Sequence, residues 1–372
     1  MTDIGLLYIA EAYQCYHGAL IGLELARRPG VRVVTYYNDP AAPAALERIR
    51  LAFGAPPMTY RRLERSPLNR ALQGLRVLGM IKTLTLWENR AALDRLDAIV
   101  AVEDTVSLAR RVGIRRPRLI YYPHGFGDRA RGFARMVSVF DQVLVPGRKT
   151  ERRMVDEKLV APSRIDVVGP VKIETCERLR QVGGPLFTLP GPVVLYNAHK
   201  APGLSSWPRF IEPILSRFAA QDEMNLIVAP HIKMFRRRRA AVRARWERRS
   251  GGRVLVDVSS ERLLDMSYTS AADIYVGDVS SQVYEFLLRP RPCVFLNAAR
   301  HDWRSDPNFA HWHLGDVVEE PDLLWQAIRD APARHALYRE RQQAVAQASL
   351  GTLSPSPAVR AADAILRDLG AG

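Results

Sequence analysis

The chain has little of what marks several common protein classes. Its 372 residues include 3 cysteines: Cys15, Cys176 and Cys293, an odd number with no CxxC pair and no Cys/His spacing suited to zinc. This argues against a disulfide scaffold or a zinc module and fits a reducing compartment. Long hydrophobic runs are missing too, since the longest apolar stretch, 77–87, is interrupted by Lys82 and is too short to span a bilayer. The opening Met1-Thr2-Asp3 lacks the basic and apolar regions of a signal peptide. A cytoplasmic protein is expected, with any membrane contact peripheral, on the inner face of the plasma membrane. There is no Gly-x-Gly-x-x-Gly fingerprint and no P-loop, which disfavours hydride transfer and ATP hydrolysis. Lysine is scarce: Lys82, Lys149, Lys158, Lys172, Lys200 and Lys233 are the only ones. Arginine therefore supplies nearly all of the 54 basic side chains, which stand against 39 acidic ones and leave a net charge of +15. Such a surface welcomes anionic partners.

What is present is the composition of a soluble globular chain, 47% hydrophobic and 25% charged. The length exceeds the ~250–300 residues at which single cores stop growing, so two domains are expected. In the first half, short apolar runs at 4–10, 31–37, 98–102, 119–122, 142–145 and 165–168 alternate with amphipathic stretches such as 16–28, 105–112 and 148–159. In the second half, runs at 193–197, 225–229, 254–257, 273–277 and 293–296 alternate with stretches at 207–219, 235–249, 261–270 and 280–288. This alternation predicts an α/β fold with mainly parallel sheets. A Gly/Pro-rich stretch without periodicity, 181–192, reads as a linker. The expected domains are thus 1–180 and 193–350, both Rossmann-like, followed by a helical tail, 351–372, whose last segment would cross back onto the first domain. Two such halves would face each other across a cleft, with ligands at the carboxyl ends of the strands.

Several strand ends carry candidate chemistry. At 272–286 an apolar strand runs into Gly277-Asp278, and Ser280-Ser281 then opens a helix. Unpaired backbone N–H groups at such a helix start favour an anion, and two hydroxyls add donors. Glu285, one turn beyond Ser281, is placed to accept hydrogen bonds from ribose hydroxyls. Asp278 and Ser280 serve equally as ordinary helix caps. At 119–125 a strand ends in Pro123, with His124 at its tip and Gly125 allowing close approach of a ligand; a histidine there can act as a general base. At 225–233 the same order recurs, with Pro230, His231 and Lys233. Asn197, His199 and Lys200 end the first strand of the second half, while Glu11 and His17 follow the first strand of the chain. His301, His311 and His313, with Asp316 nearby, include an H-x-H, but without a supporting pattern they read as loop residues, and no metal or other cofactor is expected.

The ordered set His124-Gly125, Pro230-His231, and Asp278-Val279-Ser280-Ser281 with Glu285 resembles the CDP-glycerol glycerophosphotransferases of the teichoic-acid polymerase type, which have a GT-B fold. The resemblance covers roughly 115–300 and is strongest over 260–300. It implies a CDP-activated polyol donor, with its diphosphate held by Ser280, Ser281 and the helix N-terminus; the strand-end reading adds Asp278 and Gly125 to that diphosphate site. It also implies His124 as the base on the acceptor hydroxyl and His231 assisting at the phosphates; the strand-tip reading itself offers Asn197, Lys200 and Lys233 in support, and the charge beside His124 offers Arg129. The chain departs from the family in having Phe126-Gly127-Asp128 where Thr-Pro usually follows the His-Gly pair. The activity implied is transfer of a glycerol phosphate-like group to a cell-envelope glycan or lipid-linked acceptor, with release of CMP. A GT-B glycosyltransferase or an epimerase acting on a nucleoside-diphosphate sugar would use the same cradle. A non-catalytic basic protein that binds membranes or polyanions is the alternative outside enzymes.

Two basic segments bear on partners. Residues 233–253 hold ten basic side chains and one acid, Glu247, and are expected to form a solvated arginine face. Residues 60–82 combine Arg61, Arg62, Arg65, Arg70 and Arg76 with Leu68, Leu72, Leu75 and Leu78, a stripe that suits an anionic bilayer as well as interior packing. No aromatic platform is interleaved with either, so nucleic acid is not expected.

Overall fold

The computed structural model describes residues 1–74, 78–125, 127–128, 133–180 and 185–370. The chain divides into two compact units. One comprises Met1–Phe126, Arg131–Leu179 and Ala348–Gly372; the other comprises Gly127–Ala130 and Arg180–Gln347.

The first unit is built on seven parallel strands, β1 (Thr2–Tyr8), β2 (Val31–Tyr37), β3 (Thr59–Arg62), β4 (Ala98–Ala101), β5 (Arg118–Tyr121), β6 (Gln142–Val145) and β7 (Ile165–Val167), in the order β3-β2-β1-β4-β5-β6-β7. The central strands are unbroken apolar runs because both of their faces are covered, and Ile99, Leu119 and Val143 are fully buried. The helix Cys15–Ala26 is buried along most of its length. The strand order reverses between β1 and β4, where such sheets open a ligand crevice at their carboxyl ends. Leu7 pairs with Ala101 and Ala101 with Tyr121, so the ends of β1, β4 and β5 are level. The last helix, Pro357–Asp368, belongs to this unit. Ser356 caps it at the Val359 N–H, Pro357 opens it, and Asp363 and Asp368 pair with Arg28 and Arg118.

The second unit carries six parallel strands, β8 (Val193–Asn197), β9 (Asn225–Val228), β10 (Val254–Val256), β11 (Ile274–Gly277), β12 (Cys293–Leu296) and β13 (Asp316–Val318), in the order β10-β9-β8-β11-β12-β13. The order reverses between β8 and β11, and Asn197 pairs with Gly277 at the ends of those two strands. A Cβ at Gly277 would stand 2.7 Å from the Asn197 carbonyl oxygen and 2.8 Å from the Tyr275 hydroxyl, so only glycine fits. The core contains Tyr196, Phe210, Leu226, Val276 and Val294, all fully buried, each large side chain contributing about 1.5–3 kcal/mol.

Several expected elements change. β3 lies within the arginine-rich segment read as one stripe, and β13 was not expected. The helix expected over 235–249 is instead a turn followed by Ala240–Glu247. The stretch 261–270 breaks at Met266, whose φ is 64°, into Glu261–Leu263 and Ser267–Ala271. The helix after Ser280 is only Gln282–Phe286, a single turn, so its dipole is small. Among the described residues, no helix is long and apolar enough to cross a membrane.

Candidate active site

In the first unit, the ends of β1, β4 and β5 gather a polar group around His124. Its Nδ1 lies 2.6 Å from the Val102 carbonyl oxygen. A carbonyl only accepts, so Nδ1 carries the proton, and in the neutral ring Nε2 is the proton-accepting nitrogen. Tyr13 and His17 each meet the His124 ring edge-on, with centroids 6.1 Å away. Glu103 pairs with Lys82 and accepts from Gln14 Nε2 at 2.6 Å. Burial pushes the Glu103 carboxyl up, but Lys82, His124 and Gln14 outweigh it and hold it below the usual range. Burial and the Glu103 charge push Asp104 up. Burial, and after it the Lys172 charge, hold the His17 pKa well below the ordinary imidazole value. Gly125, at φ 151°, adopts a backbone conformation that favours glycine.

In the second unit, the ends of β8, β9 and β11 bring His199, His231 and the Asp278–Ser281 loop into one bonded arrangement. The Lys233 N–H donates to His231 Nδ1 at 3.1 Å, and the Ala201 N–H donates to His199 Nδ1 at 3.0 Å. Both Nδ1 atoms are therefore unprotonated, and each neutral ring carries its proton on Nε2. The two rings meet edge to face, with centroids 5.9 Å apart. Burial, with help from His199, Lys200 and Lys233, lowers the His231 pKa to about 3, so this ring stays uncharged at neutral pH. The His231 N–H donates to the Ala198 carbonyl at 2.9 Å, which ties the β9 tip to the β8 tip.

Two residues expected to touch ligand do something else. Asp278 is fully buried. Its Oδ1 accepts from the His199 and Val279 N–H groups at 2.7 and 2.9 Å, and its Oδ2 accepts from the Ser206 N–H and hydroxyl at 2.6 and 2.8 Å. Burial pushes its carboxyl up to about 7, against these donors. Asp278 thus shapes the His199 loop and does not offer its carboxylate to a phosphate. Asn197 is likewise fully buried, donating to the Ala229 carbonyl at 2.6 Å and accepting from Tyr275 at 3.2 Å, so it is a strut between strand ends. Ser280 accepts from the Gln282 N–H at 3.2 Å, whereas the Ser281 hydroxyl makes no cap bond. Glu285 sits on the short helix one turn after Ser281 and is 4% exposed. Lys200 is exposed and Lys233 half-buried. Arg129 and Arg76 lie outside the described residues.

Sequence reasoning missed Asp128, which packs within the second unit and is 3% exposed. Its Oδ2 accepts from the Tyr284 hydroxyl and faces His311 Nδ1 at 3.1 Å. His311 Nε2 and Trp312 Nε1 in turn reach the Asp278 carbonyl oxygen at 3.3 and 3.1 Å. The available signal was the departure Phe126-Gly127-Asp128 itself. His311 is therefore part of the support of the Asp278 loop, while His301 and His313 bond separately to the carbonyls of Gly203 and Arg304. Among the described residues, no group of three or more His, Cys, Asp or Glu is placed to hold a metal ion.

No protein-family model matches the chain, and none of the curated protein sequences does. Solved structures do. The UDP-GlcNAc 2-epimerase of Neisseria meningitidis bound to UDP-GlcNAc aligns over 100% of both chains, with a TM-score of 0.64 and 14% identity. S. aureus MnaA in complex with UDP aligns over 100% of this chain and 98% of its own, with a TM-score of 0.65 and 12% identity. The wall teichoic acid polymerase TagF aligns over 99% of this chain and 89% of its own, with a TM-score of 0.63 and 12% identity. At such identities the fold is what is shared: two Rossmann-like sheets of GT-B-like type.

Proposed function

We propose that the protein is a transferase that moves a polyol phosphate from a CDP-activated donor to a hydroxyl of a cell-envelope glycan or lipid-linked acceptor, releasing CMP. The observation that carries this reading is the opposite protonation of the strand-tip histidines. His124 holds its proton on Nδ1 and accepts at Nε2, whereas His199 and His231 are set to donate from Nε2. A base for a hydroxyl and uncharged donors for a diphosphate are what phosphoryl transfer asks of a protein, since positioning and charge stabilisation do most of the catalysis. The acceptor oxygen attacks the distal phosphorus as its proton passes to His124 Nε2. The bond from that phosphorus to the bridging oxygen breaks, and its electron pair leaves with CMP. The Nε2–H groups of His199 and His231, the ammonium groups of Lys200 and Lys233, and the hydroxyls of Ser280 and Ser281 meet the phosphate charge. Gly125 lets the backbone approach the donor, and Glu285 takes the ribose hydroxyls. The resemblance of the His124, His231 and Ser280-Ser281 motifs supports a CDP-linked donor, as does the fold shared with TagF, one structure of which was soaked with CDPG.

The test is incubation with CDP-glycerol, related CDP-polyols and hydroxyl acceptors while CMP is followed. CMP release that depends on the acceptor is expected, and its absence with every CDP-polyol would reject the reading. A nucleotide-sugar enzyme is the second reading. The carboxyls of Glu103 and Asp104 near His124 favour it, because their environments push the two in opposite directions, Glu103 down and Asp104 up, as acid–base work on a sugar would use. Release of UDP or CDP, or an epimerised sugar nucleotide, would mark that chemistry.

A further inference from the structure

The net charge of the chain is concentrated in one place. Residues 233–253 carry ten basic side chains and one acid, nine of the fifteen net positive charges. The one acid, Glu247, accepts from the Ser259 hydroxyl at 2.5 Å. Four consecutive arginines, Arg236–Arg239, lie exposed in the turn that leads from His231 to the helix Ala240–Glu247, and Arg245 and Arg248 are exposed on and just after that helix. Among the described residues, Arg237, Arg238, Arg239 and Arg248 form no ion pair with an acid; Arg249 pairs with Glu212, and the Arg245 charge also acts on Glu212. The turn is held in shape. Phe235 is buried against Trp207 and Trp246, with centroids 5.4 and 6.1 Å away, and Arg243 donates to the Arg238 carbonyl at 3.0 Å. Like charges gathered on an ordered turn repel one another, so the arrangement is best satisfied by an anion with several charges.

We infer that Arg236–Arg239, with Arg245 and Arg248, form a docking surface for a linear chain of phosphodiesters. Guanidinium forks match phosphate oxygens in pairs, which favours phosphate over a diffuse negative surface. The surface begins three residues after Lys233, at most ~11 Å of chain, so it continues the cationic path from the candidate phosphate site outward. A lipid surface fits less well: Val242, 38% exposed, is the large apolar side chain the segment shows to solvent, and the aromatic rings of the region pack on one another. The same packing leaves no ring platform for nucleobases. That the chain is a polyol phosphate, the product or acceptor of the transfer, rests on the function proposed above; the binding of a phosphate polymer does not.

The test is fluorescence anisotropy of a tagged oligo(glycerol phosphate) with the full chain, over a range of salt concentrations. Replacing Arg236, Arg237, Arg238 and Arg239 together by alanine is expected to weaken binding at least about tenfold and to reduce the salt slope by roughly 3, because fewer counterions are released. CMP release with a short uncharged acceptor is expected to stay unchanged. Arg245→Ala with Arg248→Ala should give a smaller loss of the same kind. Unchanged binding in the fourfold variant would overturn the inference. So would tighter binding of an oligonucleotide of equal charge, or binding of phosphatidylglycerol vesicles that falls in the variant while oligomer binding does not. Oligomer binding that depends on the arginines, without CMP release from any CDP-polyol, would keep the surface and reject the proposed reaction.

Discussion

The tips of β5 and β9 look alike in sequence, each an apolar strand ending in Pro-His, yet the fold gives the Nδ1 atoms of their histidines opposite hydrogen-bond partners. At His124 the ring faces a carbonyl from a neighbouring strand end, Val102, so Nδ1 must donate. At His231 the ring folds back on its own loop and accepts from the N–H two residues on, and His199 does the same. The first ring is left with a basic nitrogen in a group that holds an ionised carboxylate, Glu103. The second is kept uncharged by burial and nearby cations and is left as a hydrogen-bond donor. Residue type thus says little about role; the partner of Nδ1 decides it.

The largest expected effect comes from removing the proposed base. His124→Asn should lower kcat by about 10³-fold with donor affinity retained, measured by CMP release and by calorimetry with a CDP-polyol. His231→Ala should cost about 10²-fold, the usual loss for one donor at a developing charge. Glutamine sharpens the contrast: its amide N–H replaces a donor but not a base, so His231→Gln should recover much of the activity and His124→Gln none. Glu103→Gln is the next step down. Losing that negative charge lowers the pKa of the nearby imidazole, so the acid limb of the pH–rate profile should move to lower pH; an unmoved limb would detach Glu103 from His124. The smallest effect concerns stability. The His231 pKa is lower in the folded chain than in the unfolded one, so its neutral burial is fully tolerated above about pH 6.5 and becomes a penalty as pH falls toward 3. Wild type should therefore lose more of its Tm than His231→Gln between pH 7 and 5, by a few degrees, and equal losses would contradict the half-buried neutral ring.

Much of the fold was legible because buried parallel strands are short apolar runs, and 193–197 and 293–296 coincide with β8 and β12. The strands that escaped notice are both at sheet edges. β3 carries exposed Arg61 and Arg62, and β13 is three residues long, so neither shows the apolar signature of a central strand. The strand-tip histidines were visible for the same reason the strands were. Their protonation was not, because it depends on Val102, 22 residues from His124, and on local backbone turns. Asp278 shows the same limit more sharply. As a residue before two serines it looked like part of a phosphate cradle, but its oxygens are engaged by Ser206, 72 residues away, and by the His199 N–H. Asp128 was overlooked because its partners, Tyr284 and His311, lie more than 150 residues further along the chain.

The opposite tautomers of the two histidines can be observed directly by nitrogen NMR of imidazole-labelled protein near pH 7.5, with resonances assigned through the His124→Asn and His231→Gln variants. The account predicts His124 protonated at Nδ1 and His231 protonated at Nε2. The same tautomer at both positions, or a charged His231, would contradict it.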